Sequence, residues 1–161
     1  MHVTLFSECA VTVTKPFGVV TSPGYPQPYR NGIDCTWRIQ LSVGQLIQFN
    51  FLHFDVDHDV QVSYLGCMWD SSAASEIFPK LINVWVLPHW WNSFDFRHWD
   101  SLTIYDGGSN TSPMLAKPYC GVTLPPSQLS SSNHLFFHFH SSAVNTGTGF
   151  KFEYNATSKN S

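Results

Sequence analysis

The side chains of this 161-residue chain that could do chemistry are eight histidines, four cysteines, eleven carboxylates and many serines. Serine, histidine and aspartate can build a hydrolase triad, which is defined by geometry rather than by order along the chain. No G-x-S-x-G elbow, H-E-x-x-H pair or phosphate-cradling glycine loop accompanies them, so the chain is not expected to be an enzyme. His138 and His140 stand two apart, the interval that puts two imidazoles on one strand face and would suit a metal. Nothing in the sequence supplies their fellow ligands, and they read as polar-face histidines.

Cys9, Cys35, Cys67 and Cys120 are widely spaced and contain no C-x-x-C pair of the kind that opens a zinc or redox site. Two structural disulfides are expected, and the cysteines by themselves leave all three connectivities open. The sequons Asn110-Thr111-Ser112 and Asn155-Ala156-Thr157 make Asn110 and Asn155 candidate glycosylation sites. Cysteines and sequons together favour the secretory pathway over the cytosol. A formal net charge of -3 provides no basic field for a nucleic-acid partner. No apolar run approaches the roughly 20 residues that a membrane-spanning helix needs, so membrane insertion is not expected. The stretch 1–9 lacks a basic start and a sustained apolar core, so a secreted domain would be a fragment of a longer chain.

The elements that must position these residues are strands. With 43% hydrophobic and 12% charged residues, the chain suits one buried core. Every second residue is apolar in 37–41, 47–51, 102–104, 135–139 and 150–154, which predicts strands with one face on a core. Turn chemistry separates them at Ser22-Pro23-Gly24, Ser42-Val43-Gly44, Asp106-Gly107-Gly108 and Asn145-Thr146-Gly147. Short strands at such intervals predict an all-β sandwich or barrel. Residues after Tyr154 form a polar tail that is expected to fray.

Residues 71–100 break the rhythm: they hold seven aromatics, including Trp85, Trp90, Trp91 and Trp99, without strand alternation. Trp69-Asp70-Ser71 and Trp99-Asp100-Ser101 bracket the segment with the same three letters, as if it were spliced into one strand junction. Two readings compete. Exposed aromatics would make a binding surface, whereas a patternless segment fits an insertion that is merely looped out, such as translated sequence normally removed from the transcript, and loop entropy tolerates the latter.

Several stretches in order along the chain resemble the CUB domain family: Gly18 to Pro26, Tyr29, Cys35 to Ile39, Phe54-Asp55-Val56-Asp57, Asp100 to Gly107, Tyr119-Cys120-Gly121 and Gly149-Phe150. The wording is reminiscent of cubilin-like receptors, which string many such modules together. The resemblance implies an all-β CUB-type sandwich of two antiparallel sheets, braced by Cys9–Cys35 and Cys67–Cys120, with 71–100 as a long aromatic-rich inserted loop. On this reading 1–8 is an N-terminal flank, 9–154 the domain and 155–161 the tail.

Many family members hold calcium in loops at one end of the sandwich, and a basic side chain of the protein ligand pairs with the acidic ring. The matching positions are Tyr29, Asp57 where Glu is usual, and either Asp70 or Asp100. Ser142 stands where a third acidic ligand is usual, so calcium is expected to bind weakly at best. The function implied is noncatalytic recognition of extracellular protein ligands, in a secreted protein or the ectodomain of a cell-surface receptor. The alternative is a structural spacer without a ligand of its own.

Overall fold

The computed structural model describes residues 5–6, 9–56, 100–116, 118–143 and 146–159. These form nine strands: β1 (Leu5–Phe6), β2 (Val11–Val13), β3 (Phe17–Thr21), β4 (Asp34–Gln40), β5 (Gln45–Asp55), β6 (Ser101–Tyr105), β7 (Gln128–Leu129), β8 (His134–His140) and β9 (Gly149–Ser158). They make a five-stranded sheet in the order β1-β3-β9-β5-β7 and a four-stranded sheet in the order β2-β4-β8-β6.

Alternation in the sequence becomes alternation of burial. Cys35, Trp37 and Ile39 of β4, Leu135, Phe137 and Phe139 of β8, and Phe150, Phe152 and Tyr154 of β9 all face the interior, as do Ile47, Phe49 and Phe51 of β5. Removing such side chains from water is the main favourable term in folding. The rings also interlock across the sandwich: Phe137 stacks on Phe152 at 4.5 Å, and Trp37 meets the edge of Phe150 at 5.5 Å, within the range in which aromatic pairs add to simple burial.

The expectation of two antiparallel sheets needs a correction at one edge of each. β3, β9, β5 and β7 pair antiparallel, and so do β4, β8 and β6, but β1 runs parallel to β3 and β2 parallel to β4. The chain alternates sheets from β1 to β4. Each crossing reverses its direction, so two crossings bring it back to the first sheet running the same way. Two residues of the expected flank form β1, and β9 runs past Tyr154 to pair Ala156 with Ile47 and Thr157 with Leu46.

A disulfide joins Cys9 to Cys35 with Cα atoms 4.9 Å apart. Cys120 is also disulfide-bonded. Cys67, its expected partner, lies outside the described residues, as do Asp57, Asp70 and residues 71–99 of the inserted segment.

Candidate functional site

The strand registers bring three loops to one end of the sandwich. His140, at the close of β8, pairs with Asp34 and with Ser101, the first residues of β4 and β6. In the other sheet Asp55, at the close of β5, faces Gly149 at the start of β9. The chain therefore leaves β3, β5 and β8 and enters β4, β6 and β9 at this end.

Three of the residues singled out from the sequence meet there. Asp100 is completely buried, and Tyr29 and Ser142 are 2% and 3% exposed. The Tyr29 hydroxyl donates to Asp100 Oδ2 in a short hydrogen bond, and the Ser142 amide donates to Asp100 Oδ1 at 2.5 Å. One carboxylate thus ties together a residue from each loop. A buried charge is tolerated only where it is hydrogen-bonded, and these two donors are of the kind required. Tyr29 is fixed further by its ring, which meets Phe139 edge-on at 4.9 Å, and by its amide, which donates to Gly147 O at 3.2 Å. Gly149, with φ +91°, passes so close that an added Cβ would collide with Ser22 Oγ and touch the Tyr29 ring; only glycine suits both the conformation and the space.

Four further residues, Asp55, Thr148, His53 and Ser141, shape this end and were not anticipated from the sequence. Asp55 Oδ2 accepts the Thr148 amide at 3.1 Å and the Thr148 hydroxyl at 2.9 Å, and His53 Nε2 lies 2.7 Å from the same hydroxyl. Ser141 Oγ accepts the Ile33 amide and donates to Arg30 O, both at 2.9 Å, pinning loop 22–33 to the loop after β8. The available signal lay in strand period: Phe51 and Phe54 both face inward, so one residue between them is extra. That bulge at Leu52 sets the phase of the strand end carrying Asp55.

Calcium takes about six to eight oxygens with several carboxylates among them, and of the positions that the resemblance implies for it Tyr29, Asp100 and Ser142 lie among the described residues. Asp100 joins Tyr29 and Ser142 by accepting a hydrogen bond on each of its oxygens, and Ser142 brings a neutral hydroxyl where the resemblance implies a carboxylate. Among the described residues no group of three or more His, Cys, Asp or Glu could hold a metal ion.

His138 and His140 do share the outer face of β8, but as partners of Asp34. His138 Nε2 lies 2.7 Å and His140 Nδ1 3.2 Å from Asp34 Oδ1. Burial tends to raise the Asp34 pKa, but the hydrogen bonds and charges of the two histidines outweigh it and hold the carboxyl below its ordinary value. Asn110 is exposed in the turn after β6, and Asn155 is exposed on the outer face of β9.

Comparison with known proteins agrees with this architecture. The model of the CUB domain matches residues 9–82 and 91–154, and the break between the two stretches falls inside the aromatic-rich segment. Zinc metalloproteinase nas-39 of Caenorhabditis elegans is 29% identical over 91% of this chain and 12% of its own length. Cubilin of Rattus norvegicus is 30% identical over 90% of this chain and 3% of its own length. The chain spans only a small part of either relative, and near-equal identity to two such different proteins singles out neither. Among solved structures, the MASP-1 CUB2 domain bound to Ca2+ is similar with a TM-score of 0.62 and 20% identity, covering 92% of this chain and 99% of that one. The family match extends over most of the chain, which belongs to the CUB domain family, a noncatalytic module.

Proposed function

We propose that this domain recognises an extracellular protein through the loops at the Asp100 end, as one module of a longer secreted or cell-surface chain. The observation that carries this reading is the convergence of Tyr29, Asp100 and Ser142 on one buried carboxylate. A fully buried acid holding three loops costs desolvation that an apolar residue would avoid. Such a device fits loops whose shape must be held for a partner. Asp100 acts as a positioning residue, since both its oxygens are engaged, and contact with the partner falls to exposed loop residues such as Arg30 and Ala143. The small fraction of each relative that the chain spans supports a module of a multidomain parent. Cys67 is the partner we assign to Cys120, completing the second bridge.

A related domain is solved with Ca2+ bound. In this chain we assign the same end to hydrogen bonding, with calcium dispensable, because Ser142 contributes its amide to Asp100 and no carboxylate. Calorimetry of the unaltered domain should find no submicromolar calcium site. Ser142→Asp, which puts a second carboxylate beside Asp100, should raise calcium affinity by about tenfold or more; tight binding without the substitution would overturn this reading.

The recognition itself is tested by screening multivalent domain against arrayed secreted and cell-surface proteins. Arg30→Glu should abolish the interaction, while Val43→Asp, in the exposed turn after β4, should leave it intact. A partner indifferent to the end loops, or no partner at all, would favour the spacer reading instead.

A further inference from the structure

The outer face of the five-stranded sheet carries a shallow groove of about 270 Å3, with Leu46, Gln48 and Leu129 among the side chains that line it. Leu129, on the two-residue edge strand β7, is 46% exposed. Apolar surface left open on a sheet face invites association. The same groove is also lined by Asn155 and Thr157, the first and third residues of the sequon Asn155-Ala156-Thr157. Their spacing of two puts both on the outward face of β9, while Ala156 between them packs against the core. Asn155 thus lines the groove together with Ser158 and Lys159, and its Nδ2 donates only a long hydrogen bond, 3.4 Å, to Ala156 O.

We propose that Asn155 carries an N-linked glycan and that its first sugars lie in this groove, over Leu46 and Leu129. A pyranose ring offers an apolar C–H face to the leucines and hydroxyls to Gln48, Lys159 and water, which matches the mixed lining. In the transfer, Asn155 Nδ2 attacks the anomeric carbon of an oligosaccharide held on a polyprenyl diphosphate. A C–N bond forms, the C–O bond to phosphate breaks, the diphosphate leaves with the bonding pair, and the amide gives up one proton to solvent. β9 is hydrogen-bonded between β3 and β5 at this point, Asn155 pairing with Phe17 and Gln48. Transfer therefore precedes docking of β9, and the sugars close over the groove as the sheet forms. The modification leaves the Asp100 end open for a partner and blocks association through the outer sheet face.

This inference rests on the secretory reading above, and Asn110, exposed in its own turn, separates the two. The chain is expressed behind a secretion signal in human cells, and glycopeptides are mapped by mass spectrometry. Asn155 is expected to be occupied in the parent and in Thr157→Ser, and bare in Thr157→Ala. Enzymatic trimming to a single N-acetylglucosamine should keep binding of an apolar dye low, whereas Thr157→Ala should raise it severalfold. Nuclear Overhauser contacts are expected between the N-acetyl methyl of that sugar and the methyls of Leu46 or Leu129. If Asn110 is occupied and Asn155 bare, the inference fails and the secretory reading stands. Occupancy at Asn155 without those contacts and without a change in dye binding overturns the groove. A chain that cannot be secreted overturns both readings.

Discussion

Asp100 is the residue to which Tyr29 and Ser142 both donate a hydrogen bond. Replacing it with alanine would take from the buried Tyr29 hydroxyl and Ser142 amide the acceptor that each uses here. Each orphaned donor costs about 1–3 kcal/mol, so Asp100→Ala should lower stability in urea by several kcal/mol, far more than an exposed Asp→Ala change. A loss below about 1 kcal/mol would mean that the loops hold their shape without it. A second residue-scale prediction concerns Asp34, whose folded-state pKa is depressed. The contribution is present above the unfolded pKa and fades as pH falls through the folded one, below the ordinary 3.8. Its side chain is 64% exposed, so the stability at stake is a few tenths of a kcal/mol at most, after screening by solvent. Carbon-detected NMR titration reads it directly: the Asp34 carboxyl should titrate higher in His138→Ala, and an unchanged midpoint would refute the histidine origin of the shift. Little of this was legible in advance. Tyr29 and Ser142 were named through the family resemblance, Asp70 and Asp100 were indistinguishable by spacing, and Asp55 with Thr148 was missed because their contact joins loops that sequence period does not connect.

At the scale of elements, alternation carried the reading where strands were long. β4, β5, β8 and β9 each repeat buried and outward residues often enough for the period to stand out, whereas in β6 Leu102, Thr103 and Ile104 are all buried. β1 and β7 have two residues each and β2 three, too few for any period, and their place depends on which strand edge they meet. The parallel edges were invisible for the same reason: pairing direction follows from crossings between sheets, which no local pattern records. The bulge in β5 gives a test. Phe51 pairs with Phe152 and His53 with Lys151, so Leu52 is the extra residue, and it is 46% exposed. Deleting Leu52 keeps every inward residue inward and the register unchanged on both sides. Deleting Asn50 instead would turn Ile47 and Phe49 out of phase with Phe51 and Phe54. The Leu52 deletion is therefore expected to fold with a melting temperature within several degrees of the parent, and the Asn50 deletion to fail. Equal behaviour of the two would show that register in β5 is not set by its buried face.

For the whole molecule, the question is what residues 71–100 contribute. The described core is built from residues that lie before Asp57 and after Asp100. Asp100 is the last residue of the segment, and it holds the buried position between Tyr29 and Ser142. Excising 71–100 removes Asp100, but the Trp-Asp-Ser repeat changes the outcome: Asp70 then precedes Ser101 directly, as Asp100 does now, with Trp69 in the place of Trp99. The junction keeps its carboxylate and its neighbours, and the stretch of chain between β5 and β6 becomes shorter, which lowers the entropy cost of closing it slightly. We expect the excised domain to be secreted at least as well, to melt at the same or a higher temperature, and to need Asp70 as the parent needs Asp100. The decisive comparison is the excised form carrying Asp70→Ala. A large drop in stability there, matched by a large drop for Asp100→Ala in the parent, would establish that either aspartate can fill one structural role. If the excised form itself unfolds, or melts more than several degrees lower, residues 71–99 contribute packing that the core requires, and the segment is an integral part of the fold.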